Sequence, residues 1–161
     1  MNLREWVSKL SVLGLLLCVL PVSGRALASD DYPVTEEEKA FVTAIRKAVD
    51  SHDVPWMAAN VNFPIKAGID GRRMTIKNKG QFARLYDKII DAHVKSVVDA
   101  QNIDELWKNW RGIMIGSGEI WVGAACEQRG CQGKVAYFIS AINNCWDGTK
   151  DLCGGNARPS P

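Results

Sequence analysis

Histidine is scarce in this chain: only His52 and His93 occur, and they are not spaced as a paired metal-binding motif. There is no glycine-rich phosphate loop and no serine elbow. The motif-based routes to nucleotide, metal or acyl-transfer chemistry are therefore closed, and neither a cofactor nor a metal is expected. No internal repeat occurs, which excludes a solenoid. An excess of charge is lacking too. Lysine and arginine total 20 against 18 acidic residues, and residues 1–28 hold Arg4, Lys9 and Arg25 against Glu5 alone. The remainder is balanced, which argues against a nucleic-acid partner, since that needs a concentrated basic surface. The apolar run from Val12 to Leu20 is too short to span a bilayer.

That run is preceded by basic residues and followed by Ala26-Leu27-Ala28, the pattern of a secretory signal with a small-x-small cleavage site. Residues 1–28 are read as a signal peptide, Cys18 included. The mature protein is expected to be exported to the periplasm, with no membrane span after processing.

The rest is organised around the stretch from Trp110 to Asn143. It reads as three long strands: Ile113, Ile115, Ile120, Trp121 and Val122 are strand formers, and Gly116-Ser117-Gly118 marks a turn. Ahead of it, Thr35 and Glu38 fit a capping box opening a helix with Phe41, Ile45, Ala48 and Val49 on its buried face. Pro55 suits the first turn of a short second helix, capped by Asp53. Asp70-Gly71 joins two strands as a hairpin. Asn78 caps a long helix with Phe82, Leu85, Ile89, His93, Val94 and Val97 on its buried stripe and a bend near Asp91-Ala92. The fold class is thus α+β: a curved antiparallel sheet with helices on its concave face, forming one domain over residues 29–144. Residues 145–161 read as an irregular, crosslinked tail.

The order of elements, and the segments N-F-P-I-K-A-G-I-D-G-R-R-M-T-I-K-N-K-G-Q-F and N-W-R-G-I-M-I-G-S-G-E-I-W, resemble the nuclear-transport-factor-2-like (cystatin-like cone) superfamily, and its small secreted bacterial members most. The resemblance implies a cone-shaped roll. It does not imply one function, because the superfamily includes isomerases, dehydratases, ligand carriers, assembly modules and immunity proteins. No catalytic motif of an enzyme branch is matched.

Four cysteines remain after the signal, and an even count in an exported domain points to disulfides. Cys126 and Cys131 flank a strand connection and are expected to pair across its base. Cys145 and Cys153 then staple the tail. A pocket between helices and sheet could be lined by Trp56, Phe63, Tyr86, Trp110 and Trp121, although the same rings could simply fill the core. The weak catalytic candidates are His93, on an apolar helix stripe, and Glu119, beside Trp121 on its strand. Two classes of function stay open. One is a non-catalytic binding module holding a small apolar ligand or a protein partner, including an inhibitor or immunity role. The other is a cofactor-free lyase or isomerase, for which His93 and Glu119 must converge. Finally, the sheet is apolar on both faces. Ile113, Ile115, Ile120 and Val122, with Phe138 or Ile139, are read as a face that a homodimer would cover.

Overall fold

In the computed structural model, which describes residues 32–126, 134–145 and 153, helix α1 (Glu36–Asp50) opens on the expected capping box. The Glu38 amide donates to Thr35 at 3.3 Å, and the Thr35 amide donates to the Glu38 carboxylate at 2.9 Å. Asp53 caps α2 (Val54–Ala59) through the Trp56 amide at 2.9 Å. Strands β1 (Ile65–Ile69) and β2 (Arg72–Ile76) pair antiparallel about Asp70-Gly71, both at positive φ.

The single long helix expected after Asn78 is three helices: α3 (Lys79–Arg84), α4 (Tyr86–Ile89) and α5 (Ala92–Ala100). Asn78 caps the first through the Gln81 amide at 2.9 Å. The expected bend is a full break, because Asp91 leaves helical geometry and takes the Val94 amide at 3.0 Å as the cap of a new helix. A single 3₁₀ turn (Ile103–Glu105) then leads into the sheet.

Strands β3 (Trp107–Asn109), β4 (Gly112–Ile115), β5 (Ile120–Cys126) and β6 (Val135–Ile142) form an antiparallel sheet in that order. The first of the three expected strands is therefore corrected to a hairpin. The Asn109 side chain accepts the Arg111 amide at 2.8 Å, which turns the chain at Trp110-Arg111. Trp110 leaves the sheet and is 71% exposed. The two sheets meet at β6. Val61 bridges Ile139 in parallel, Asn62 donates to the Ile139 carbonyl at 2.9 Å, and Ile139 donates to the Asn60 carbonyl at 2.7 Å.

Ile113, Ile115, Ile120, Val122, Ile139 and Ile142 are buried in one cluster with Ile45 of α1, Phe82 of α3, Ile89 of α4 and Val94 of α5. The arrangement is α+β, with helices against antiparallel strands, as expected. Which face they cover is a correction. The isoleucine face lies under the helices. The opposite face carries Trp107, Met114, Trp121 and Ala141 in one row of paired residues. A register shift between Trp121 and Val122 keeps Ile139 inside and brings Phe138 out, over Gly123.

Past β6, the Asn144 side chain takes the Gly68 amide at 2.6 Å and donates to the carbonyls of Gly68 and Lys88, each at 2.8 Å. Cys145 and Cys153 form the expected disulfide, with both sulfurs against Gly68. Cys126 also takes part in a disulfide. Cys131, the signal segment and the rest of the tail lie outside the described residues. Among the described residues no helix is long and apolar enough to cross a membrane.

Candidate functional site

The Asp91 cap starts α5, and so fixes His93 in that helix's first turn. The Gly116-Ser117-Gly118 turn joins β4 to β5 and delivers Glu119 at the start of the strand. These two placements bring the weak candidates together: His93 Nε2 is 3.2 Å from Glu119 Oε1. The Glu119 side chain is 2% exposed and that of His93 35%. The other carboxylate oxygen accepts the Ser117 amide at 2.6 Å.

The turn around this pair is tied down on every side. The Gly116 amide donates to Gln101 Oε1 at 2.7 Å. Asn143 donates from its side chain to the Gly118 carbonyl at 2.6 Å and from its backbone to the Glu119 carbonyl at 2.7 Å. Gly116 has φ 67°, and a Cβ there would run into Val97 and Glu119, so the carboxylate needs glycine at this position. A buried carboxylate accepting at both oxygens is a satisfied one. It can orient the imidazole, and it also locks the turn.

The proposed pocket aromatics fall into separate ring groups. Tyr86 is buried in the core, edge-on to Phe82 at 5.9 Å and to His52 at 4.8 Å, and Phe82 continues the chain to half-buried Phe63. The Tyr86 hydroxyl is buried with no hydrogen-bond partner, and burial pushes its phenol up to about 12, with the carboxylates of Asp87 and Asp53 adding to the rise. Half-buried Trp56 meets Phe41 at 5.8 Å, and Phe41 meets Tyr137. Trp121 lies on the opposite face of the sheet from the helices, edge-on to Trp107 at 6.2 Å. Trp110 sits on its hairpin tip with the Arg111 guanidinium 4.9 Å from its ring. A groove of about 340 Å³ does open between α1 and α5, but Val49, Asp50, His52, Lys95, Ser96 and Asp99 line it, none of them a proposed pocket residue. No group of three or more metal-ligating side chains gathers among the described residues.

Sequence reasoning put the uncovered apolar surface on the wrong face of the sheet. The outer face presents Trp107 at 38% exposed, half-buried Met114, Trp121, Phe138 and Ala141, and the exposed Ala125 and Ala136. No charged residue lies in these rows. The signal was the two-residue spacing on both sides of Gly116-Ser117-Gly118, read with the other face in mind. It also missed the roles of Gln101, Asn143 and Asn144, whose partners are remote in sequence. No protein-family model, curated protein or solved structure matches this chain.

Proposed function

We propose that this is an exported, non-catalytic binding module that pairs with a second copy of itself through the outer face of its four-stranded sheet. The observation that carries the reading is the uncharged aromatic row Trp107–Met114–Trp121, left uncovered by the helices. Soluble monomers seldom expose a contiguous apolar face, and Trp is enriched among residues that dominate interfaces. A two-fold interface sets each patch against itself. A patch without charge meets no like charge on doing so. The order of elements is what supports placing the chain with the nuclear-transport-factor-2-like superfamily. Light scattering at micromolar concentration tests the pairing. A dimer mass that falls to the monomer in Met114→Lys is expected, and a monomer mass for the unaltered protein overturns it.

A second reading is favoured by one contact, His93 with Glu119 at 3.2 Å. In a cofactor-free lyase or isomerase, Glu119 would orient His93 as the base. Titrating a panel of small enolisable ketones while following the His93 imidazole by nuclear magnetic resonance tests it. If the His93 signals do not move with any of them, the enzyme reading fails.

A further inference from the structure

The charge balance of the chain hides a segregated surface. Between positions 66 and 88 there are seven basic residues and two acidic ones. One acid, Asp70, is engaged by Lys88 at 2.7 Å, and the other, Asp87, lies near His52 and Lys95. Arg72, Lys77, Lys79 and Arg84 are all exposed, and none forms an ion pair among the described residues.

The hairpin and helix that carry these four cations also carry one exposed apolar group. Arg72 and Met74 lie two apart on β2 and so share a side of the strand. Met74 is 41% exposed. Gln81 of α3 ties the helix to the strand, with its amide nitrogen 3.9 Å from the Met74 sulfur and its oxygen taking the Lys77 amide at 2.9 Å. The Arg84 guanidinium folds back towards Gly80, at the start of α3 beside Lys79. The exposed thioether is therefore presented by the same hairpin–α3 unit as the four cations.

We infer that this face docks an acidic, partly apolar segment of a partner protein, with glutamate or aspartate side chains on the cations and an apolar side chain on Met74. Charge complementarity carries the inference: uncompensated like charges on one face repel one another, and an acidic partner relieves that repulsion and is steered to it. Methionine suits the apolar contact because its side chain adapts to varied shapes. A nucleic acid fits less well, since the apolar centre offers nothing to a phosphate backbone. The inference extends the binding-module reading, and it uses residues other than those of the proposed pairing face.

The test uses the full-length mature protein and a fluorescent peptide of alternating glutamate and leucine, followed by anisotropy. Binding is expected at about 20 mM salt and should weaken about tenfold by about 200 mM. It should also weaken about tenfold in Lys77→Glu/Lys79→Glu, and should be absent for a lysine–leucine peptide. Circular dichroism of the double variant checks that it folds, and Arg84→Glu serves as the second variant. An affinity that neither variant changes, or tighter binding of a single-stranded oligonucleotide than of the peptide, overturns the inference. A monomer mass with peptide binding intact would sink only the pairing reading.

Discussion

His93 of α5 and Glu119 of β5, 26 residues apart in sequence, meet with Nε2 3.2 Å from Oε1, and Ser117 closes the other side of the carboxylate at 2.6 Å. Deleting that carboxylate removes the bond from the Ser117 amide and empties a buried site. Glu119→Ala should cost about 3 kcal/mol in urea unfolding. His93 is one-third exposed, so its bond to Glu119 is partly screened. A double-mutant cycle with His93→Ala should return a coupling of about 1 kcal/mol. Fully additive losses would mean that the contact contributes nothing.

The Tyr86 hydroxyl is a buried polar group without a partner. Replacing it with hydrogen removes an uncompensated desolvation cost and keeps the ring that packs on Phe82 and His52. Tyr86→Phe should therefore be neutral or stabilising by about 1 kcal/mol, measured by thermal melting. A loss of more than about 1 kcal/mol would reveal a bond to that oxygen.

The same phenol makes the protein sensitive to alkali. Its ordinary value is 10.0 and burial raises it to about 12 in the fold. Below pH 10 it is neutral in both folded and unfolded chains, and the neutral form suits the core. As the pH rises from 10 towards 12 the unfolded chain loses its proton first, and stability falls by roughly 2–3 kcal/mol. Denaturant midpoints across that range should drop less in Tyr86→Phe than in the unaltered protein. Equal drops would contradict the assignment.

The two faces of the four-stranded sheet should respond oppositely to charge. Ile120 is fully buried under the helices, and Ile120→Lys should unfold the protein, since an unpaired charge in the core costs several kcal/mol. Met114→Lys, on the outer row, should leave the circular dichroism spectrum intact and act on association alone. A folded Ile120→Lys variant would show that this side of the sheet is not the core.

Removing the tail staple with a Cys145→Ser/Cys153→Ser pair should cost about 2 kcal/mol, the value for so short a loop. The sulfurs also pack on Gly68. A Gly68→Ala variant should therefore be destabilised when oxidised and less so when the disulfide is reduced, as read by melting with and without dithiothreitol. Equal losses in both states would separate the glycine from the bridge.

Much of the fold was written in short-range signals. The Thr35–Glu38 box, the Asp53 cap and the Asp70-Gly71 turn each satisfy backbone groups within a few residues, so local sequence suffices to find them. Asp91 offered the same kind of signal, read as a bend rather than a cap. The Trp110-Arg111 turn had a signal as well, Asn109 followed three residues on by Gly112, but the β-branched run after it outweighed that cue. No cue near Leu85 announces the break between α3 and α4. The covered face of the sheet was not legible, because isoleucines line one side and tryptophan, methionine and alanine the other, and both sides are apolar. His93 and Glu119 were named singly. Their meeting depends on how α5 lies over a distant turn, which no local pattern records.

Strand β6 has β5 along one edge and residues 60–62 along the other, so the last of the described strands occupies an interior position. Other long-range contacts do not involve this strand: Arg46 of α1 reaches the Val98 carbonyl, Glu38 meets Lys108, and His93 meets Glu119. What β6 alone supplies is the link between β5 and residues 60–62. A chain cut before residue 135 would therefore leave two unpaired edges, that of β5 and that of residues 60–62.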